Sequence, residues 1–422
     1  MLFLAYDFEE QNDCFVQPDE EKAYEFLSEG LLALSEQADV FYTEAFQKKP
    51  VQQMARVTAG VSVNDSNLLE ISLHAEDIDF DEILDILASY RKKRRYHRLK
   101  DGTFVTLEEQ QLAAVAELVE STGIRKGSIR DGEKAEMPLS QAMYLDALAR
   151  EEEGLRLERS SRFRSVVKNL RNPAEAEVDV PAGLAHVLRD YQVTGFNWLS
   201  TLASYGLGGI LADDMGLGKT LQVLAFLLSQ KDENKAPALV VAPTSLMYNW
   251  AEEAERFTPE LKAVVIAGTK EERTAALEQL DRRTDFAITT YNMLARDLEL
   301  YEKKRFSYCF LDEAQHIKNP STQKAKAVKH IRAGVCFALT GTPIENTLTE
   351  LWSIFDFLMP GYLLNHAKFK QRYETPIVRG QDAHAAKDLK RHVTPFILRR
   401  LKKDVLRELP DKVERRLINE MT

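Results

Sequence analysis

The sequence predicts an α/β protein: a parallel β-sheet with helices on both faces, preceded by a smaller α+β unit. Three observations predict it. Beyond about residue 180, short apolar runs alternate with helical stretches, the rhythm of βαβ units. One strand–helix junction carries a glycine-rich loop ending in Gly-Lys-Thr, and ligands on such sheets bind at the carboxyl ends of the strands. Before about residue 120 the pattern differs, with strand-like alternation, a hairpin signal and separate helices.

Composition bounds the possibilities. At 422 residues the chain is long enough for two domains or more. No apolar run is long enough to span a bilayer, and "MLFLAY" is short and lacks the basic flank of a signal peptide. Cys14, Cys309 and Cys336 stand singly, which argues against a disulfide framework and a cysteine-based zinc site. Such a chain is expected in a reducing cytosol, with no membrane partner. The net charge of -10 is unlike that of most polyphosphate binders, although a local basic surface can sit on an acidic molecule.

Residues 1–120 read as the small α+β domain. "PDEEKAYEFLSEGLLALSEQ" has an acidic start and helical spacing. "LLEISLHA" alternates like a strand, and "DFDEILDILASYRKK" has acids first and bases last, which suits a helix dipole. "RYHRLKDGTFVTL" gives two strand-like runs about Asp101-Gly102, and "LEEQQLAAVAELVEST" a helix ended by Gly123. Residues 121–178 are polar and charged and read as a helical linker, punctuated by Pro173. From 179 to 422 the strand candidates are "GGILA", "PALVVA", "AVVIA", "FAITT", "YCFLD" and "VCFALT".

The loop after "GGILA" reads "DDMGLGKT", from Asp213 to Thr220. It ends as a phosphate-binding P-loop ends, but Asp213 stands where the pattern has its first glycine. Gly216 and Gly218 let the backbone around Leu217 turn its N–H groups inward at a helix start. Lys219, the one side-chain cation within the loop, is placed to reach the β- and γ-phosphates, and Thr220 to offer its hydroxyl to Mg²⁺. Taken alone, the stretch could be a glycine-rich turn. A second signal supports the chemistry: "YCFLDEAQH" is an apolar strand ending in Asp312-Glu313. Asp312 suits a Mg²⁺ ligand and Glu313 a base for an attacking water. A third apolar strand runs into "LTGTPIEN".

Together "LRDYQ", "DDMGLGKT", "VVAPTSLMYNW", "TTYNML", "DEAQ" and "LTGTPIEN" resemble the ordered motifs of superfamily-two helicases and translocases. More narrowly the chain resembles the Swi/Snf family of ATP-dependent DNA translocases, where an acid commonly replaces the first P-loop glycine. "LWSIFDFLMPGYL" and "ILRRLKKDVLRELPDK" support the narrower assignment, which covers roughly residues 180–422. "RKKRRYHRLKDGTFVTL" is similar to the domain that precedes the motor in bacterial members.

The resemblance implies a RecA-like ATPase lobe over 179–422 with a helical protrusion at about 347–400, where Phe355, Phe357 and Leu358 read as core. It implies an ATP- and Mg²⁺-dependent nucleic-acid-stimulated ATPase that tracks along double-stranded DNA, in a nucleoid-associated cytoplasmic setting. Gln192 then reads the adenine edge. Gly216, Leu217, Gly218, Lys219 and Thr220 hold the phosphates, with Thr220 and Asp312 on the metal and Glu313 catalytic beside Asp312 and Lys219. Pro243, Thr244 and Ser245 meet a DNA phosphate. Thr340, Gly341 and Thr342 couple the nucleotide to the DNA path. Gln315 departs from the histidine common at its place. A second RecA-like lobe is implied as a partner. It is expected beyond "LPDKVERRLINEMT", so the chain is expected to be the front part of a longer protein. The N-terminal domain is a candidate for recruiting a protein partner.

"RKKRRYHRLK", residues 91–100, has seven Lys/Arg in ten. It reads either as a DNA-facing patch or as a solvated helix end running into the hairpin. "LRRLKKDVLRELPDK" is either a DNA contact or an interlobe brace. Two other functions stay open: a strand-separating DNA or RNA helicase, and a partner-binding module with a vestigial ATPase lobe. Duplex stimulation without strand displacement would exclude the first, and the intact Lys219, Asp312 and Glu313 speak against the second.

Overall fold

A computed structural model describes residues 5–405, apart from 13, 42, 44–50, 55, 77, 108, 126–128, 131–133, 152–155, 176–177, 232, 234–235, 281–282 and 342–346. The chain divides into two compact units, Met1–Ser165 and Val166–Thr422.

The first unit is built on a five-stranded sheet in the order Arg156–Arg159, Thr58–Val63, Leu68–His74, Lys134–Pro138, Ile129–Arg130. The segment 58–63 alternates half-buried and buried positions, so one face of the sheet carries Ala59, Val61 and Val63 into the core. Helices Phe80–Arg91 and Ala142–Glu151 supply buried Ile83, Ile86, Leu145 and Leu148. The hairpin Tyr96–Arg98/Phe104–Thr106 forms as the sequence predicts, with Gly102 at φ +92° in the turn. In the basic run, Arg98 bonds Glu20 and Lys100 bonds Asp79, while Lys92, Lys93, Arg94 and Arg95 are exposed.

The stretch expected as a helical linker, 121–178, differs from that reading. It contributes three strands of this sheet and the helix Ala142–Glu151. "KAEMP" alternates exposed and buried residues, but a five-residue alternation set among charged residues carries little periodic signal. The pairing of Lys134–Pro138 with Leu68–His74 is what makes it a strand.

The second unit is a seven-stranded sheet. Its strands are β1 (Gly209–Leu211), β2 (Ala238–Ala242), β3 (Ala263–Val265), β4 (Phe286–Thr290), β5 (Phe306–Leu311), β6 (Ala333–Leu339) and β7 (Ile397–Leu398). The order is β3-β4-β2-β5-β6-β1-β7, and every pairing is parallel. All five residues of β2 and of β4 are buried, as expected for strands covered on both faces. Stacked Phe310 and Phe337 lie with ring centroids 5.2 Å apart, and Phe226 of the helix Lys219–Ser229 meets both edge-on.

Six of these strands are the ones the sequence predicts. β7 is not: two residues ahead of "RRLKK" give no strand signal. It forms because β1 would otherwise be the sheet edge, and Ile397 and Leu398 pair with Ile210 and Leu211. The helical region after β6 comprises helices at Leu348–Leu358 and Ala383–Val393 with shorter turns between them, and it returns to the sheet at β7. Phe355, Phe357 and Leu358 are buried in it.

Candidate ATP-binding site

The strand order assembles the site. In a parallel sheet all carboxyl ends lie along one edge, and β2, β5, β6 and β1 are successive neighbours there. Four stretches remote in sequence therefore share one edge: Pro243–Ser245 after β2, Asp312-Glu313 after β5, Thr340-Gly341 after β6 and the glycine loop after β1.

The glycine loop leaves β1 and enters the helix Lys219–Ser229. Gly216 and Gly218 have φ of +81° and +73°, a backbone that L side chains rarely adopt. A Cβ on Gly218 would also run into the Gln192 amide. Leu217 is buried and anchors the loop from beneath. The Gln192 amide donates to Leu217 O at 3.2 Å, and its oxygen accepts from Arg189 N at 2.9 Å. The structure thus brings Gln192 to the loop, tied to backbone at both ends. Lys219 Nζ donates to Asp213 O at 2.6 Å and to Asp214 O at 3.4 Å. Burial pushes this ammonium below the usual lysine value, against the opposing pull of Glu313, Asp213, Asp312 and Asp214. Thr220 is half-buried in the first helical turn.

Asp312 is 7 % exposed. Its carboxylate accepts from Trp250 Nε1 at 2.8 Å and from Glu313 N at 2.9 Å, and Tyr291 OH donates to its carbonyl at 2.7 Å. Burial pushes the carboxyl above its ordinary range, although the Trp250 bond pulls it down. Glu313 sits in the left-handed region at φ +48°, a strained backbone of the kind that clusters at functional sites. Gln315 Nε2 donates to Glu313 Oε2 at 2.8 Å, and Thr340 Oγ1 donates to Gln315 Oε1 at 3.0 Å. Thr340 N in turn donates to Leu211 O at 3.2 Å. A hydrogen-bonded path thus runs from the acid after β5, through β6, to the foot of the glycine loop.

Gly341 lies beside Met215, and Thr342 lies outside the described residues. Pro243 is half-buried, and Thr244 and Ser245 are exposed ahead of the helix Met247–Phe257. Reading the sequence missed Trp250, Gln222, Tyr291 and Arg400. Trp250 lies inside the quoted "LMYNW" and gave a motif signal only; its bond to Asp312 spans 62 residues.

The residues fit a nucleotide triphosphate with a magnesium ion. Paired positive-φ glycines at a helix start make an anion nest, with the half-buried Lys219 ammonium beside it. Thr220 and Asp312 offer two oxygens, and Mg²⁺ is bound by few protein ligands, keeping several waters. Among the described residues no group of three or more His, Cys, Asp and Glu is placed to hold a metal by itself.

The fold and this edge define a RecA-like, ATP-binding α/β lobe. Residues 191–422 match the SNF2-related domain, and residues 1–181 match the domain described as bacterial SNF2 helicase associated. The chain belongs to the SNF2 family and carries its ATPase core lobe. It is 39% identical over 277 residues to the TATA-binding protein-associated factor MOT1 of Saccharomyces cerevisiae, covering 60% of this chain and 15% of that protein. It is 35% identical to the putative ATP-dependent helicase/translocase YwqA of Bacillus subtilis, covering 74% of this chain and 35% of that one. The chain thus spans about a third or less of these relatives. The Sulfolobus solfataricus SWI2/SNF2 ATPase core in complex with dsDNA is similar at 43% identity and a TM-score of 0.51, covering 56% of this chain and 49% of that core. Among the described residues no helix is long and apolar enough to cross a membrane.

Proposed function

We propose that the second unit is the ATP-hydrolysing lobe of a motor that tracks along double-stranded DNA. The observation that carries this reading is the path Glu313–Gln315–Thr340–Leu211, because it ties the acid to the loop that would hold the phosphates. Gly216, Leu217, Gly218, Lys219 and Thr220 bind the triphosphate, and Gln192 borders the adenine. Thr220 and Asp312 hold Mg²⁺, which supplies charge neutralisation at the phosphates. Lys219 exchanges its two carbonyl partners for phosphate oxygens. Glu313, oriented by Gln315, takes the proton of the attacking water. Thr340, Gly341 and Thr342 relay the nucleotide state toward the DNA, and Pro243, Thr244 and Ser245 meet a phosphate of its backbone.

The similar core that was solved with dsDNA supports a duplex as the track. This chain covers 49% of that core, which supports a second RecA-like lobe as the partner that completes hydrolysis. The first unit, which contains the α+β domain proposed over 1–120, recruits a protein partner, and the motor works in the nucleoid-associated cytoplasm. The test is ATP turnover with and without duplex DNA, on this chain and on one carrying a second lobe. Duplex-stimulated turnover without strand displacement, seen with both lobes, is the expected result. Displacement of a strand, or stimulation by single-stranded RNA alone, would overturn the duplex-tracking reading.

A further inference from the structure

Asp213 holds the place of a P-loop glycine and is fully buried, 0 % exposed. A buried carboxylate at the foot of an anion-binding loop is costly unless paired, and it would repel the phosphates above it. Its partner comes from 187 residues downstream. Arg400 Nε donates to Asp213 Oδ1 at 2.8 Å, and Arg400 Nη2 bonds Oδ2. The same guanidinium donates to Gln222 Oε1 at 2.8 Å and to Tyr191 O, and it lies over the Tyr191 ring. Gln222 Nε2 returns a bond to Asp213 Oδ2 at 3.2 Å. The backbones run together as well. Ala212 N donates to Leu398 O at 2.7 Å, Asp214 N to Arg400 O at 3.1 Å, and Lys402 N to Asp214 Oδ2 at 3.0 Å.

We propose that Arg400 is a positioning residue of the nucleotide site: acting through Asp213, it fixes the first residue of the glycine loop and cancels the acid's charge beneath the phosphates. The inference rests on the proposal that Gly216–Thr220 bind the triphosphate. The bidentate fork is specific to arginine, because a lysine offers a point charge and no planar pair of donors. A contact with phosphate by Arg400 itself is not required. Its effect on binding therefore depends on Asp213, and a brace that is only structural would lower the melting temperature without weakening binding by the folded protein.

The test measures binding of N-methylanthraniloyl-ATP with Mg²⁺ to the 422-residue chain by fluorescence anisotropy, with thermal melting followed in parallel. The parent binds and Lys219→Ala does not. Arg400→Met weakens binding about tenfold or more. The pair Asp213→Gly with Arg400→Met buries no lone carboxylate and restores the P-loop glycine, so it recovers to within about threefold of the parent. Arg400→Lys falls between. Equal binding by the parent and Lys219→Ala would remove the P-loop reading and this inference with it. Loss of binding in Lys219→Ala together with parental binding by a folded Arg400→Met overturns this inference alone. A double variant no better than Arg400→Met overturns it too, because Arg400 would then act other than through Asp213. Where Arg400→Met does not fold, Arg400→Lys decides: weakened binding that the double variant restores supports the proposal, and parental binding refutes it.

Discussion

Replacing Trp250 by phenylalanine removes one buried donor and part of one ring. Trp250 is 1 % exposed, and its Nε1 lies 2.8 Å from the Asp312 carboxylate. A hydrogen bond to a charged group contributes about 1.5–3 kcal/mol, and its loss leaves the carboxylate under-solvated. The smaller ring adds a cavity, so the total cost is about 2–4 kcal/mol. At roughly 2–4 °C per kcal/mol for a unit of this size, the melting temperature falls by about 4–16 °C. The diagnostic quantity is the coupling to Asp312. In an Asp312→Asn background the single amide oxygen must serve two donors, Trp250 Nε1 and Glu313 N, and it is neutral, so the indole bond is weaker by about 1 kcal/mol or more. Trp250→Phe should therefore cost about 1 kcal/mol less there than in the parent. Urea unfolding of the four proteins closes the cycle. Additivity within about 0.5 kcal/mol would show that Trp250 is filler and does not anchor the acid.

Asp312→Asn alone should lose hydrolysis with both lobes present and remove the pH dependence that this carboxyl gives to stability. Burial holds the Asp312 carboxyl above its ordinary value, so the folded state binds more protons and stability falls as pH rises from the ordinary value through the raised one; the amide removes that fall, and scanning calorimetry across this range reads it. Glu313→Gln should keep MgATP binding and lose turnover in the two-lobed motor, because an amide cannot take a proton from water; parental turnover would exclude Glu313 as the base. Lys219→Ala should abolish nucleotide binding in calorimetric titration, because the loop's own sequence supplies no other side-chain cation. On the proposal that a second lobe completes hydrolysis, these 422 residues should show ATPase near background with or without duplex DNA, since an arginine delivered in trans contributes about 10³–10⁵ in rate; strong DNA-stimulated turnover by them alone would refute the two-lobe mechanism.

The local structure of the candidate site was legible in the sequence. Gly216 and Gly218 are glycines because the loop needs positive φ, and that need is met within eight consecutive residues. Most of the apolar runs that became β1 to β6 announce themselves because strands buried on both faces, such as β2 and β4, must be apolar along their length. Asp312-Glu313 was found because it ends such a run. What only the tertiary structure decided is everything that depends on which chain ends meet. The order β2-β5-β6-β1 places Thr340 and Gln315 between the acid and the glycine loop, and no periodicity encodes the neighbours of a strand. β7 becomes a strand only because β1 offers it an unpaired edge. The strands within 121–178 exist because Leu68–His74 receives Lys134–Pro138, which pairs with Ile129–Arg130, and Thr58–Val63 receives Arg156–Arg159. Asp213, which looks from sequence like a flaw in the loop, is one half of a buried ion pair whose other half, Arg400, is brought to it by the pairing of β7. A buried charge is stable only beside its counter-charge, and that counter-charge is fixed by the fold, across a separation that local sequence patterns do not reach.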